Sequence, residues 1–352
     1  MGEVNKFYET VFRITDTAFH SNTKTKIRNI TVAGIPIQLR FADSSLLPEI
    51  MPALKHLKED SSEYTPSYTI DIWDSESTQT DFPEAPCGID DILVRGELQG
   101  FSSDRYEAAF FTHARMLTLI DHHRKRGVVC LVNSSGLPAF ELACPLRGIL
   151  SWILRRNDTT MIHAASVGTA DGSVLIGGKS GAGKSSTALR CLVGGLYYFG
   201  DDICAISNKN FMPQTHSIYS SGKTFSKDLK YFPELASSLH SHHEDLYEKE
   251  VFFFANEFQS QLPRSGDIRA IIIAHQDPDA AIGFEKISFA NALSVMCSST
   301  KQLLPNAGNE MFTILSSILH QTPCFRFNLG NDPSLIARTL DDLITNLKQK
   351  QD

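Results

Sequence analysis

Gly178-Lys179-Ser180-Gly181-Ala182-Gly183-Lys184-Ser185 satisfies the spacing G-x-x-x-x-G-K-[ST] at each of its fixed positions. Its glycines let successive backbone N–H groups converge on phosphate oxygens with no Cβ in the way. Upstream stands Ser173-Val174-Leu175-Ile176, an apolar run of the length a buried strand uses. Downstream, Lys184 to Val193 reads as a helix ended by the glycine pair Gly194-Gly195, and Leu196-Tyr197-Tyr198-Phe199 as the next strand. Strand, loop, helix and strand together place the positive end of a helix against a bound anion. On this reading Lys184 reaches the β- and γ-phosphates and the Ser185 hydroxyl ligates Mg²⁺, so ATP with Mg²⁺ is the expected pair. The residues expected to line the nucleotide are Gly178, Lys179, Ser180, Gly181, Ala182, Gly183, Lys184, Ser185 and Ser186.

Gly200-Asp201-Asp202 closes the strand that follows. Two carboxylates there can divide the work, one holding the metal and the other taking a proton from an attacking hydroxyl. Adjacent like charges raise the proton affinity of one of them, which suits a base. Gly-Asp-Asp is also common turn chemistry, but its place one helix after the loop favours the site. His163, in Met161-Ile162-His163-Ala164-Ala165-Ser166, reads as a lone histidine on a strand of small residues, a setting usual for a core residue with its hydrogen bonds satisfied.

The 352 residues, 42% hydrophobic and 21% charged, suffice for one large domain or two smaller ones. We divide them into an N-terminal α+β segment, 1–155, and a segment carrying the chemistry, 156–352. A net charge of -7 argues against coating nucleic acid. No apolar run approaches the roughly 20 residues that span a bilayer, and the N-terminus lacks a signal-peptide core, so a cytoplasmic protein with no membrane partner is expected. The seven cysteines contain no C-x-x-C pair and read as reduced core thiols.

In the first segment Ile30–Phe41 reads as strand, turn and strand about Gly34, and Leu46–Leu57 has helical spacing. Tyr68–Trp73 alternates like a half-buried strand, Ser75–Pro86 reads as a loop, and further strands fall near Ala108–Thr112, Met116–Ile120 and Gly127–Val132. His122-His123 reads as part of a solvated hairpin turn, and Pro145–Arg156 as a helix. In the second segment Ile268–Ala274 reads as a central strand and Pro333–Leu347 as an amphipathic helix. Asp277 resembles a Walker-type carboxylate but reads better as a strand-end turn. His240, His242 and His243, with Glu244 and Asp245, read as a solvated loop rather than a metal cluster. Lys223, Lys227 and Lys230 fit equally a solvated basic face and a contact to phosphate or an acidic peptide.

Ile162-His163-Ala164-Ala165, Gly177–Ser186 and Gly200-Asp201-Asp202 together resemble the catalytic core of HPr kinase/phosphorylase. The Gly-Asp-Asp also resembles that of phosphoenolpyruvate carboxykinase. The resemblance implies an α/β fold, a P-loop kinase core of the HPr kinase/phosphoenolpyruvate carboxykinase type behind an N-terminal α+β domain. It implies that His163 and Asp202 form the proton-handling pair, that Lys184 contacts the transferred phosphoryl group, that Ser185 binds the metal, and that Asp201 is a metal or water-network ligand. Ser221–Pro233 departs from that family's signature, with Lys227 roughly where a metal-binding glutamate is expected, and the N-terminal segment does not resemble its regulatory domain. The layout, including Ile70-Asp71-Ile72-Trp73-Asp74-Ser75 and Phe325-Arg326-Phe327-Asn328-Leu329-Gly330, is similar to HPr-kinase-like serine kinases found with lasso-peptide biosynthesis genes. That similarity implies ATP-dependent phosphorylation of a seryl hydroxyl on a precursor peptide or protein, with acceptor recognition as a role for the N-terminal domain and homo-oligomerisation left open. The alternatives are a carboxykinase-like or small-molecule phosphotransferase and a nucleotide-gated regulatory module without catalysis.

Overall fold

A computed structural model of the chain describes residues 2–20, 24–134, 137–240, 248–277, 279–301 and 308–349. Its described residues are a mixed α/β structure of two compact units, one formed by the chain up to Met51 with Leu57–Ile153, the other by Pro52–His56, 154–301 and 308–349.

In the first unit α1 (Glu3–His20) buries Tyr8, Val11, Phe12 and Thr15, one stripe of a 3.6-residue period. The strands β1 (Lys26–Val32) and β2 (Ile35–Phe41) pair antiparallel across the two-residue turn Ala33-Gly34, both at positive φ, the hand that matches strand twist. After α2 (Leu47–Leu54) come β3 (Lys58–Glu59), β4 (Tyr68–Asp74), α3 (Ser75–Thr78), β5 (Tyr106–Phe111), β6 (Met116–Asp121) and β7 (Arg126–Leu131). They form a seven-stranded sheet in the order β3-β1-β2-β4-β7-β6-β5.

Three local expectations need correction here. β4 lies between β2 and β7, parallel to both, and is buried on both faces rather than half-buried. Its Asp71 is tolerated inside because Arg40 (2.5 and 2.7 Å) and Arg126 (2.7 Å) neutralise it. The stretch expected as a loop begins with α3, capped by the Asp74 carboxylate accepting the Ser77 N–H at 2.8 Å. His122 is not solvated: only 7% of its side chain is exposed, and its Nε2 lies 2.8 Å from Glu107 Oε2.

The short α4 (Ala139–Ala143) precedes α5 (Arg147–Arg155), which starts two residues after Pro145. The second unit then runs β8 (Thr159–Ile162), β9 (Ala165–Thr169), β10 (Gly172–Gly177), α6 (Lys184–Val193), β11 (Tyr197–Gly200), β12 (Cys204–Lys209), β13 (Met212–His216), β14 (Ser221–Phe225), β15 (Lys249–Phe253), β16 (Ser265–His275), β17 (Gly283–Lys286), α7 (Phe289–Lys301), α8 (Asn309–Gln321), β18 (Cys324–Asn328) and α9 (Ile336–Lys348). The main path of its nine-stranded sheet is β11-β9-β10-β16-β13-β12-β8, with β18 beside β16 and β17 beside β18. β16 runs parallel to β10 and β18, the central position its apolar run predicts. Val174 and Ile176 pack with Leu189 and Leu192 of α6 and with Leu340 and Ile344 of α9. Leu175, on the opposite face, packs with Met296 of α7 and Leu315 of α8. Helices thus cover both faces of β10, which carries the glycine-rich loop at its C-terminal end.

Among the described residues no helix is long and apolar enough to cross a membrane, and no three His, Cys, Asp or Glu side chains form a metal-binding group. His242, His243, Glu244 and Asp245 lie outside the described residues. His240 packs edge-on against Phe253.

A buried histidine gives the unit an acid sensitivity. His216 Nε2 lies 2.8 Å from Ser207 Oγ across the β12–β13 pair, and burial, aided by Lys209, pushes its pKa down to about 4. The unfolded chain therefore binds more protons than the folded one between about pH 6.5 and 4, and stability falls as pH drops through that window. The loss is on the order of 3 kcal/mol. Urea titrations should show a midpoint falling from pH 7 to pH 4.5, with a shallower fall in His216→Asn. An equal fall in that variant would locate the sensitivity elsewhere.

Candidate functional site

The glycine-rich loop leaves β10 at Gly178 and enters α6 at Lys184, the bounds its glycines predict. Gly183 has φ +95, and a Cβ there would stand 2.6 Å from Leu329 Cδ1, so both conformation and space call for glycine. No side chain caps α6, which leaves the donors of its first turn to an anion. Lys179, Ser180, Gly181 and Ser186 are exposed, Ala182, Gly183 and Ser185 partly buried, and Gly178 buried. Lys184 is 7% exposed and folds back under the loop, donating to Gly178 O at 2.8 Å and Lys179 O at 3.3 Å. Burial lowers its pKa; the charges of Asp201 and Asp202 oppose that, and Lys249 adds to it.

His163 is not on a strand, which corrects the sequence reading. β8 ends at Ile162, β9 begins at Ala165, and the Ala164 N–H donates to Ile162 O at 3.1 Å, a γ-turn centred on His163. A second γ-turn stands between β11 and β12, where the Ile203 N–H donates to Asp201 O at 2.8 Å and Asp202 has φ +71. Positive φ at the centre of such a turn is the rare, strained form. Pairing aligns the two bends: Ser166 of β9 is registered with Gly200 of β11, and Ile162 of β8 with Cys204 of β12. In consequence His163 Nε2 lies 3.2 Å from Asp202 Oδ1. The backbone N–H of His163 donates to Thr300 Oγ1 at 2.9 Å, near the end of α7, which fixes the bend from behind.

The two aspartates differ sharply. Asp201 is 3% exposed, and neither of its carboxylate oxygens has a hydrogen-bond partner, although the Ser185 hydroxyl stands beside it. Burial raises its pKa and the Asp202 charge adds to the effect, against the pull of Lys223, Ser185 and Lys184. A buried, unpartnered carboxylate next to a hydroxyl is a donor set of the hard oxygen type that Mg²⁺ takes, so these residues fit the metal. Burial would also raise Asp202, but the Lys223 charge and the hydrogen bonds from His163 and Lys223 outweigh it and hold its pKa well below the usual carboxylate range. The expectation that charge repulsion equips the base with a raised proton affinity is thereby corrected. The raised group is Asp201, because the compensating cations sit on Asp202.

Lys223, on β14, was not separable from its neighbours in the sequence. It is buried, with Nζ 2.7 Å from Asp202 Oδ2. Lys227 and Lys230 instead lie over the rings of Phe225 and Tyr231. The preceding Ser220-Ser221-Gly222 is the one local trace of a tightly packed approach, and such runs are common. Asp277 forms the strand-end turn expected, accepting the Asp279 N–H at 3.1 Å.

The fold and site are thus those of an α/β protein with a glycine-rich strand–loop–helix facing a pair of acidic residues. No protein-family profile matches the chain, and no curated protein matches it. Among solved structures it is similar to the HPr(Ser) kinase/phosphatase from Coxiella burnetii, at 11% identity and a TM-score of 0.30, over 55% of this chain and 98% of that one.

Proposed function

We propose that this chain is an ATP-dependent serine kinase acting on a peptide or protein, with a ribosomal (lasso-type) precursor peptide as the acceptor. The observation that carries the reading is the convergence on one site of the Lys184 loop, the buried unpartnered carboxylate of Asp201 and the His163–Asp202 pair. Mere nucleotide binding needs no base.

Phosphate oxygens would take the N–H groups of the loop and the first turn of α6, and the Lys184 ammonium would exchange its two carbonyl partners for them. Asp201 and Ser185 would hold Mg²⁺, which when bound offsets charge on the β- and γ-phosphates. The bond from the serine oxygen to the γ-phosphorus forms, the bond from that phosphorus to the β,γ-bridging oxygen breaks to leave ADP, and the hydroxyl proton passes to Asp202. A carboxylate of low proton affinity suits this chemistry, in which positioning and charge neutralisation supply most of the catalysis. His163, bonded to the other side of the carboxylate, orients it.

The choice of acceptor rests on the resemblance of the stretches Ile70–Ser75 and Phe325–Gly330 to lasso-associated serine kinases. Ile70–Asp74 and Phe325–Asn328 both lie in strands, β4 and β18. Incubation with labelled ATP, Mg²⁺ and precursor peptides ending in Ser or Ala should label the Ser peptides alone. Labelling of a small metabolite instead would move the reading to a metabolite kinase, and ATP turnover that no acceptor accelerates would leave a nucleotide-gated module.

A further inference from the structure

We infer that Lys223 is a positioning residue that fixes the orientation of the Asp202 carboxylate, and so sets where the acceptor's proton is received. The inference rests on the kinase reading above. Lys223 is 7% exposed, and an ammonium taken that far from water is costly unless an anion meets it directly. Asp202 does so at 2.7 Å.

The backbone bearing Lys223 is held against the phosphate loop's own helix. β14 pairs with β15, Lys223 in register with Val251. The preceding Gly222 lets that strand lie close to its neighbours: a Cβ there would stand 2.8 Å from Phe254 Cζ and 2.9 Å from Leu189 Cδ2 of α6. α6 begins at Lys184, so one helix locates both the cation of the phosphate loop and the cation on Asp202.

Asp202 needs such an anchor. Its backbone is at φ +71, in the strained form of the γ-turn, and its side chain is gripped on both oxygens. His163 Nε2 holds Oδ1 at 3.2 Å and Lys223 Nζ holds Oδ2 at 2.7 Å. The shorter contact is a full ion pair, and charge-assisted bonds are the stronger class, so Lys223 is the main determinant of the carboxylate's direction.

The test measures transfer and geometry separately. Lys223→Met should lower kcat about a hundredfold, the cost of misplacing a reacting group by about an ångström, with nucleotide Kd and acceptor KM within about twofold. Lys223→Arg should recover part of the loss, and Lys227→Met should behave as the parent. In an Asp202→Asn background Lys223→Met should cost nothing further, because its effect runs through the carboxylate. An equal loss in both backgrounds, or a loss confined to Kd or KM, would overturn the inference. Independently of transfer, the ¹³C-carboxyl resonance of Asp202, identified by its disappearance in Asp202→Asn, should move in Lys223→Met. If it does not move, the inference falls whatever the kinetics. If it moves in a protein that transfers no phosphate to any acceptor, the kinase reading falls and with it the catalytic role, leaving a structural ion pair.

Discussion

Asp202→Asn should lower phosphoryl transfer about a thousandfold while ATP affinity stays within about twofold, since a positioned general base contributes typically 10²–10⁴. The substitution keeps shape and removes the proton acceptor. It also respects the backbone: Asp202 sits at φ +71, and asparagine populates the left-handed region readily. The turn between β11 and β12 should persist, and the amide oxygen can still accept from Lys223. A second substitution separates chemistry from strain. Asp202→Gly relieves the positive φ but removes the anion that meets the buried Lys223 ammonium, so its stability should fall while transfer is lost as fully. Single-turnover assays with labelled ATP, beside calorimetric ATP titrations, give both quantities. Undiminished transfer by Asp202→Asn would remove the base and the mechanism built on it.

Lys184→Ala should have the other large effect, and of a different kind: both ATP affinity and transfer should fall, the rate by about 10²–10³ for loss of one charge-stabilising donor. Lys184 Nζ already lies against Gly178 O and Lys179 O, where bound phosphate would compete for it. Lys184→Arg should rescue poorly, because a planar guanidinium does not replace a compact ammonium in that buried position. The fold should survive either change, since the α6 residues packed in the core are Ala188, Leu189, Cys191 and Leu192. Calorimetry showing wild-type ATP binding by Lys184→Ala would displace the nucleotide from this loop.

The contrast between these substitutions reflects what could be read along the chain. The bounds of α6 were legible from Gly183 and Gly194-Gly195, because helix ends answer to residues within one turn. The apolar run at Ile268–Ala274 announced a central strand, β16, but its parallel pairing with β10 is a contact between distant segments that no local period encodes. β4 shows the limit from another side. Its alternation fits one buried face or two, and the burial of Asp71 depends on Arg40 and Arg126. His163 looked like a strand residue since strands run on both sides of it in sequence; the bend exists because β8 and β9 pair with different partners on either side of it.

Glycine placement and apolar runs were enough to determine the glycine-rich loop, the helix behind it and the acidic strand end, since each depends on neighbours a turn or two away. The partners of the charges were settled only by tertiary structure. Two bends had to be aligned by strand pairing, and β14 had to be laid against α6, before Asp202 met His163 and Lys223 while Asp201 was left buried without a partner. Electrostatic pairing acts through distance in space and through loss of solvent, and residue order along the chain specifies neither.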